Sequence, residues 1–502
     1  MINSTLRKSL FFILCLACNV AFGQAWLGKP ITKKTTNRVN VKYGPLTTER
    51  RTDATMQAFR DYGFGQYIHW GIYSMVGNEW RGEHNSGYSE WVRQWGGKNK
   101  PENWTEIYDN LYKDFNPTKF DAKKWAKQAK DMGVKYMIIT TKHHDGFCLW
   151  PSKYSDYTVK ETPYKKDILR ELVNAYTHEG IDVFFYFSII DWHNKDYQSE
   201  IPKTKEDVVR YENFKEFTKN QVMELLDNYP EIKGLWFDGS WDAAWINQYV
   251  WTRNFEKEIR AKSPNILIGS RMRNDEFGNR HFDANGDLIG DFEQGWERKI
   301  PKSYELLNGN DWDCIMTIPY NGWGYIKNWD RQVYIKTFHD LLKMMMKTNS
   351  MDGNFVLNFG PDGQGLMHPN EDILAKQFQE WMKVNSEAVY GTEHADLAPV
   401  DYGYLTKKDS NTMYLTVFNR PVDDLIRLAV EKKAKLVPIE AELLQNKAKL
   451  KVKFTDIGLD LDGNYYYDIT LPESFKSKEP FVIKYTLGAP VSRASKLIDA
   501  KI

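Results

Sequence analysis

The stretch KGLWFDGS, residues 233–240, decides how the rest of the sequence is interpreted. Its apolar run Leu-Trp-Phe stops at Asp238 and Gly239, which is typical of a buried strand whose last side chain emerges into a loop. A turn is the alternative, since aspartate before glycine is common in turns. In a parallel barrel, this carboxylate would lie at the end where such folds build their active sites.

Seven more apolar runs of this kind occur between residues 60 and 360. With the first, they predict strands beginning near residues 64, 136, 183, 235, 266, 288, 314 and 354. Helical patterns at 120–133, 168–179, 208–226 and 250–261 separate several of them. Continuous apolar runs indicate strands buried on both faces, so the prediction is a (β/α)₈ barrel of the TIM type. The strand at 288–292 has the weakest pattern. A doubly wound sheet would usually show a glycine-rich phosphate turn after its first strand, and this sequence has His-Trp-Gly there.

The pattern changes near residue 391. Short runs at 413–418, 427–430, 450–454, 465–471 and 481–485, several of them alternating, predict a C-terminal antiparallel β-sandwich. We therefore expect a catalytic barrel at 56–390 and a sandwich at 391–502, preceded by a polar N-terminal arm at 24–55.

Residues 1–23 resemble a signal peptide. Arg7 and Lys8 precede an apolar run, and Ala-Phe-Gly precedes Gln24, so we expect cleavage before Gln24 and export to the periplasm or the medium. Lipoprotein processing at Cys18 is the alternative. No later run approaches the ~20 apolar residues of a membrane helix.

The overall composition is that of an ordinary globular protein. The 502 residues include 68 basic and 67 acidic side chains, so charge gives no reason to expect a nucleic-acid partner. Aromatic residues make up 15% of the chain, which suits sugar binding but also suits a large core. Two of the four cysteines fall in the predicted signal peptide. Cys148 and Cys314 remain, and we expect two buried thiols, with a disulfide as the alternative.

Unusual polar residues follow the predicted strands, and all would meet at one rim of the barrel. They are His69, His143, His144, Trp192, His193, Asp238, Arg271, Glu293 and Glu297. Glycoside cleavage usually needs two carboxyl groups. Asp238 is the predicted nucleophile, and Glu297 or Glu293 is the acid/base, with a pKa raised by burial or neighbouring charge.

Each supporting residue has a structural alternative. His143 and His144 could form a metal site, although no carboxylate-rich ligand spacing accompanies them, so hydrogen bonding to sugar hydroxyls is preferred. Arg271 could pair with a structural carboxylate, and His69 could be a core histidine. Trp91, Trp236 and Trp323 could simply pack the top of the barrel.

At these motifs the sequence resembles the α-L-fucosidases of glycoside hydrolase family 29. The matching pieces are FGQYIHWGIYS (64–74), YSEW (88–91), YMIITTKHHDGF (136–147), LWFDG (235–239), 316–325 and 353–365. The resemblance implies retaining enzymes on a barrel followed by a β-sandwich, with Asp238 as nucleophile and no metal or other cofactor. It implies a sugar pocket formed by His69, Glu90, Trp91, His143, His144, Tyr186, Trp236 and Arg271. Counting back from Pro301 favours Glu297 as the acid/base and leaves Glu293 open.

The resulting hypothesis is an exported, exo-acting, retaining α-L-fucosidase that removes terminal fucose from glycans or polysaccharides. An α-L-galactosidase on the same scaffold is one alternative, because the two sugars differ only by a hydroxyl at carbon six. A carbohydrate-binding protein without catalysis is the other. The sequence carries no signal for the oligomeric state.

Overall fold

The computed structural model describes residues 51–84, 87–95, 100–307, 309–320, 322–455, 463–477 and 479–490. The predicted signal peptide, with the lipoprotein alternative at Cys18, and the predicted arm up to residue 50 lie outside these ranges. Within the ranges, no helix has both the length and the apolar character needed to span a membrane.

Eight parallel strands form one sheet in the N-terminal part of the chain. They are β1 (Phe64–Ile68), β2 (Tyr136–Lys142), β3 (Asp182–Ser188), β4 (Gly234–Asp238), β5 (Leu267–Ile268), β6 (Glu293–Glu297), β7 (Trp312–Met316) and β8 (Gly353–Phe359). Their order is β5-β4-β3-β2-β1-β8-β7-β6. The two edge strands then meet, because Asp291 N donates to Ile268 O at 2.7 Å and Ser270 N donates to Phe292 O at 3.1 Å. These bonds close the sheet, so the predicted barrel is confirmed.

Seven longer helices accompany the strands. They are α1 (Ala54–Asp61), α2 (Ala122–Met132), α3 (Ile168–His178), α4 (Lys205–Asn228), α5 (Tyr249–Lys262), α6 (Phe338–Asn349) and α7 (Pro369–Asn385). Local signals set their ends: the Asp121 carboxylate caps α2, and Gly133 ends it in the left-handed conformation at φ 88°. Helix α1 precedes β1, and Phe59 packs inside the barrel, with its ring centroid 4.7 Å from that of Phe292.

Short elements fill the connections at the carboxyl ends of the strands. They are the helices Tyr73–Val76, Val92–Trp95, Trp104–Asn110 and Ala243–Ile246, and a hairpin of Glu79–Trp80 with Glu83–His84. The first three helices and the hairpin belong to the long segment between β1 and β2. This segment brings Glu90 and Trp91 to the top of the barrel.

Strand β6 does not lie where the sequence predicted it. The strand is Glu293–Glu297, which begins just after the predicted 288–292; the last two predicted residues, Asp291 and Phe292, bond to Ile268 and Ser270. The earlier segment turns back on itself instead: Leu288 forms an antiparallel bridge with Phe282, and Gly290 has φ 93°. An apolar residue that pairs within a local turn gives the same sequence signal as one in a barrel strand, which explains the error.

The C-terminal part of the chain contains two antiparallel sheets, of six and three strands. Their strands are Glu393–His394, Gly403–Lys407, Thr412–Val417, Leu425–Glu431, Val437–Leu443, Lys449–Leu450, Lys453–Thr455, Asn464–Thr470 and Phe481–Gly488. One apolar core contains Leu415 and Ile483 from the larger sheet and Ile426 and Ile469 from the smaller. The two sheets therefore pack face to face as the predicted β-sandwich.

Helix α7 packs against this sandwich. The Trp381 indole N–H donates to Pro480 O at 2.9 Å, and the Lys484 ammonium lies 2.7 Å from the Glu387 carboxylate. Val482 also belongs to the core formed by the barrel helices. The sandwich thus contacts the side of the barrel, away from the carboxyl ends of its strands.

The two cysteines that follow the predicted signal peptide are buried free thiols. Burial raises the pKa of Cys314 to about 12. The expectation of two buried thiols at Cys148 and Cys314 is confirmed.

Candidate active site

The carboxyl ends of the barrel strands surround a cavity of about 160 Å³. Its wall contains all ten residues that the sequence predicted for the site: His69, Glu90, Trp91, His143, His144, Tyr186, Trp236, Asp238, Arg271 and Glu297. Tyr67, Tyr88, Trp241, Arg298, Ile315 and Trp323 complete the wall. Side chains that are up to 228 positions apart in the sequence, from His69 to Glu297, thus meet at one place, while their chemical roles stay predictions.

Asp238 is the last residue of β4. Gly239 follows with φ 97°, and a Cβ atom at this position would lie 2.9 Å from the Ile190 backbone nitrogen. A glycine is therefore needed for the chain to turn here. The turn leaves the Asp238 carboxylate at the end of the strand, facing the cavity.

Arg271 connects the two candidate catalytic carboxyls. Its Nη1 donates to Asp238 Oδ1 at 3.0 Å, and its Nη2 donates to Glu297 Oε2 at 2.8 Å. The guanidinium carbon lies 4.9 Å from the centroid of the Trp236 ring. Because the guanidinium is a rigid planar fork, it fixes the positions of the two carboxyls relative to each other.

Burial and Arg271 act in opposite directions on the pKa values of the two carboxyls. Burial raises the pKa of Asp238, although attraction to Arg271 opposes it. Burial would also raise the pKa of Glu297, but here the guanidinium prevails and the pKa is lowered. Glu297 is also closer to solvent, since its side chain is 27% exposed against 12% for Asp238. Without a substrate, Arg271 thus favours the ionised form of both groups.

His69 presents an acceptor nitrogen. The Asn358 amide nitrogen donates to Trp323 O at 2.7 Å, so the amide oxygen faces His69 Nδ1, also at 2.7 Å. An amide oxygen can only accept, so Nδ1 carries the hydrogen and Nε2 has a free lone pair. Burial lowers the pKa of His69 to about 3, which keeps the ring neutral.

His144 has the same tautomer. Ser188 Oγ donates to Ile190 O at 2.7 Å and therefore accepts from His144 Nδ1 at 2.6 Å. Burial lowers the pKa of His144 to about 3. Its unprotonated Nε2 lies 3.7 Å from Asp238 Oδ2. A hydroxyl donor placed at this gap would find two acceptors.

The sequence left a metal site open as the alternative for His143 and His144. The described residues contain no group of three or more His, Cys, Asp or Glu side chains suited to hold a metal ion. Asp238, the carboxylate nearest to His144, is already bound by Arg271 and by the Tyr186 hydroxyl at 3.1 Å.

The wall also contains hydrogen-bonding capacity that the protein leaves unused. Four buried atoms have no hydrogen-bond partner within the described residues: Tyr67 Oη, Glu90 Oε1, His143 Nδ1 and Arg271 Nε. Glu90 is fixed by its other oxygen, which accepts from the backbone N–H groups of Trp323 at 2.9 Å and Gly324 at 3.1 Å. Unpaired buried polar atoms are uncommon, and their concentration here indicates a site for a polar ligand.

Exposure divides the wall into a floor and a mouth. The floor consists of the buried members Tyr67, His69, Glu90, His143, His144, Tyr186, Trp236, Asp238, Arg271, Ile315 and Trp323. The mouth consists of the half-buried members Tyr88, Trp91, Trp241, Glu297 and Arg298. A ligand would therefore place one end deep in the barrel, near Asp238, and the other near Glu297 and solvent.

Three residues that the sequence assigned to the rim do not line the cavity. Trp192 packs outside it, with its ring centroid 5.1 Å from that of Trp91, and His193 stacks on Tyr157. Glu293 is buried away from the cavity, and burial raises its pKa to about 7, against the influence of Trp296 and Lys299. Of the two acid/base candidates, only Glu297 lines the cavity with Asp238.

Sequence reasoning missed five wall residues and left Trp323 undecided. A usable signal existed for Tyr67, which lies on β1 two positions before His69, so the alternation of the strand directs both side chains to the same side. Arg298 directly follows a predicted catalytic residue. Tyr88 begins the quoted YSEW motif, whereas Trp241 and Ile315 carried no signal that distinguishes them from packing residues.

Comparisons with known proteins agree with this geometry. The family model for α-L-fucosidase matches residues 31–387. Plasma α-L-fucosidase of Homo sapiens is 30% identical over 403 residues, covering 76% of this chain and 79% of the relative. The α-L-fucosidase of Dictyostelium discoideum is 26% identical over 406 residues, covering 77% of this chain and 83% of the relative.

Solved structures extend the similarity to the whole fold. A family 29 α-L-fucosidase from Bacteroides thetaiotaomicron has a TM-score of 0.82 and 41% identity, covering 91% of this chain and 100% of that chain. Another structure from that organism is a trapped covalent intermediate, obtained with 2-fluoro-fucosyl fluoride and a glutamate-to-glutamine mutant, with 42% identity. Its TM-score is 0.82, and it covers 90% of this chain and 100% of that chain. The chain therefore belongs to the α-L-fucosidases of glycoside hydrolase family 29.

Proposed function

We propose that this protein is an exported, exo-acting α-L-fucosidase that hydrolyses terminal α-L-fucosyl residues of glycans or polysaccharides with retention of configuration. The observation that carries the proposal is the pair of carboxyls, Asp238 and Glu297, bound to one guanidinium in one cavity. Two carboxyl groups on either side of a glycosidic bond are the usual requirement for this reaction.

The depth of the two groups supports their assignment to different steps. Asp238, on the floor, would attack the anomeric carbon and form the glycosyl-enzyme ester. Glu297, at the mouth, would protonate the departing oxygen and then take a proton from the water that hydrolyses the ester. The trapped covalent intermediate of the relative from Bacteroides thetaiotaomicron supports the same two-step course.

Acid catalysis requires Glu297 to hold a proton, although Arg271 lowers its pKa in the free site. A sugar in the cavity would expel water and move the leaving oxygen against Glu297. Removal of water disfavours the charged form of the carboxyl, so substrate binding would raise its pKa. Arg271 would meanwhile keep Asp238 ionised for attack.

The floor supports binding of one terminal sugar. The cavity of about 160 Å³ has the volume of roughly five water molecules, at ~30 Å³ each, which suits one sugar ring rather than a chain of them. His69 and His144 offer neutral acceptor nitrogens to sugar hydroxyls, and Trp323, stacked on His69 at 5.3 Å, adds an aromatic face. Binding in a closed floor favours cleavage at chain ends over cleavage within a chain.

Asp238→Ala with azide rescue tests the mechanism. We expect hydrolysis of 4-nitrophenyl α-L-fucoside to fall by orders of magnitude with an unchanged melting temperature, and azide to restore part of the turnover. Proton NMR of early wild-type product should show the α-anomer first. A first product of β configuration, or an Asp238→Ala variant with the wild-type rate, would contradict the mechanism.

The sugar and the export are tested separately. Comparing the 4-nitrophenyl glycosides of α-L-fucose and α-L-galactose distinguishes the fucosidase from the α-L-galactosidase, because they differ only at carbon six. Glycan binding without turnover on either sugar would favour the non-catalytic alternative. For export, we expect N-terminal sequencing of the protein from the native host to begin at Gln24, whereas a chain that keeps its first residues would argue against cleavage.

A further inference from the structure

The mouth of the cavity contains a second guanidinium, that of Arg298, whose charge helps to lower the pKa of Glu297. Arg298 directly follows Glu297, and its Nη1 donates to the Tyr88 hydroxyl at 3.2 Å. The neighbouring Glu297 carboxylate is bound by Arg271 instead. A guanidinium has five N–H donors, and within the described residues the Tyr88 hydroxyl is the side-chain hydrogen-bond partner of Arg298, which leaves donors for a ligand.

The position of this guanidinium is well defined. Its carbon lies 5.0 Å from the centroid of the Tyr88 ring and 5.7 Å from that of Trp323. The backbone of Arg298 has φ 56°, in the left-handed region, and its N–H donates to Ile315 O at 2.8 Å. A side chain held between two rings loses little freedom when it binds a ligand, as expected of a binding group.

A second cation lies near Arg298. Lys336 is buried, with 8% exposure, and its ammonium donates to Pro319 O at 3.3 Å. Burial and repulsion by Arg298 lower the pKa of Lys336 to about 8. Asp340, the acid that acts on Lys336, accepts hydrogen bonds from Tyr334 and Thr337. Arg298 is thus repelled by Lys336 and attracted by the Glu297 carboxylate, and an anion at the mouth would be attracted by both cations.

We propose that Arg298, supported by Lys336, forms a subsite for an anionic substituent, a sulfate ester or a carboxylate, on the sugar to which the fucosyl residue is attached. The inference rests on the proposed function, because it places the leaving sugar at the mouth, where Glu297 would protonate the departing oxygen. Guanidinium groups bind planar or tetrahedral oxyanions through paired N–H donors. The subsite is thus adjacent to the scissile bond and separate from the fucose floor.

Three matched disaccharides test the proposal. Each carries α-L-fucose on a second sugar, which is galactose, galacturonate or galactose 6-sulfate, so that the leaving sugars differ only at carbon six. We expect wild-type kcat/KM to be about tenfold higher for the two anionic substrates, the scale of one charge-assisted hydrogen-bond pair at a partly exposed site. The preference should shrink between about 0.01 M and about 1 M salt, where the Debye length falls from ~30 to ~3 Å.

Three variants locate the effect. Arg298→Gln keeps a long side chain and the same backbone constraint, and we expect the anionic-to-neutral ratio of kcat/KM to fall to about one. Lys299→Gln is the matched control: it removes the same charge one position later, from an ammonium that lies over the outer Trp296 ring at 5.4 Å, and should keep the wild-type ratio. Lys336→Gln should lower the ratio in part, which provides a second measurement if Arg298→Gln does not fold.

The possible outcomes separate this inference from the proposed function. Hydrolysis of all three disaccharides at equal rates would overturn the anionic subsite and leave the fucosidase intact. A preference that survives in both Arg298→Gln and Lys336→Gln would also overturn it. Absence of turnover on every fucoside would overturn the proposed function and, with it, this inference. If only the sulfate or only the carboxylate is preferred, the subsite stands and its natural ligand class is identified.

Discussion

Glu297 and Glu293 lie at the two ends of β6 and give a sharp test of the mechanism, because only one lines the cavity. Glu297 binds Arg271 at 2.8 Å, whereas Glu293 Oε2 is buried without a hydrogen-bond partner within the described residues. Glutamine replaces either side chain with nearly the same shape and without a charge. The pair Glu297→Gln and Glu293→Gln therefore compares the loss of a catalytic carboxyl with the loss of a buried one.

For Glu297→Gln we expect kcat on fucosyl disaccharides to fall by about 10²- to 10⁴-fold, the usual range for a lost general acid/base. With 4-nitrophenyl α-L-fucoside, formation of the ester on Asp238 should slow less, because nitrophenolate departs without a proton. Hydrolysis of that ester still needs a base to activate water. The ester on Asp238 should therefore accumulate, which mass spectrometry of the quenched protein would detect, and azide should shorten its lifetime.

For Glu293→Gln we expect activity within a few fold of the wild type and a change in stability. Burial raises the pKa of Glu293 from 4.5 to about 7. An acid with a raised folded-state pKa binds more protons when folded, so its contribution to stability is lost as pH rises from 4.5 through about 7. This difference in pKa corresponds to about 3 kcal/mol above pH 7. Glutamine does not ionise, so the free energy of unfolding of Glu293→Gln should exceed that of the wild type at about pH 8 but not at about pH 4.

Both effects can be measured on the same preparations, by initial rates and by urea unfolding followed at the two pH values. Equal rates for Glu297→Gln and wild type, with a large loss in Glu293→Gln, would refute the assignment of the acid/base. Equal losses in both variants would mean that β6 needs its charges for structure, and the argument from the cavity wall would fail.

Three further predictions concern the surroundings of the carboxyls. In Arg271→Gln, loss of the cation should raise the pKa values of both carboxyls, so the acidic limb of the pH profile of kcat/KM should move to higher pH; an unmoved limb would contradict the electrostatic role. In Ser188→Ala, His144 loses the acceptor that fixes its tautomer, and kcat/KM should fall about tenfold, as for one lost hydrogen bond, with little change in melting temperature. Since Cys148 and Cys314 are free thiols, dithiothreitol should leave the melting temperature unchanged, and a decrease would reveal a disulfide.

The barrel and most of the cavity wall could be predicted because a strand that is buried on both faces appears in the sequence as a continuous apolar run. β4 is buried at all five positions and reads as an apolar run that ends in a carboxylate. Every strand of such a barrel delivers its last side chains to the same rim, so residues from distant segments could be assigned to one site without coordinates. The resemblance to family 29 then added Glu90, which lies in the short 3₁₀ helix Ser89–Trp91 and does not directly follow a barrel strand.

Strand β6 shows where this reasoning ends. In a regular strand, Glu293 and Glu297 would share a face, because side chains alternate with a period of two. The pairing of β6 with β7 instead shifts register between Glu293 and Trp296, so one residue of β6 is unpaired and the alternation changes phase. Glu297 then faces the cavity, and Glu293 does not.

The same shift governs the two basic residues after Glu297. Arg298 adopts φ 56°, which directs it to Tyr88 and the mouth, while Lys299 lies over the outer face of Trp296. The residue types alone do not tell which of the two adjacent cations reaches the mouth. The difference lies in the backbone at Arg298, whose N–H donates to Ile315 O on β7. A charge beside a scissile bond therefore depends on strand pairing rather than on the residue type alone. Variation at the end of β6 could change the leaving group of such an enzyme while the fucose floor stays the same.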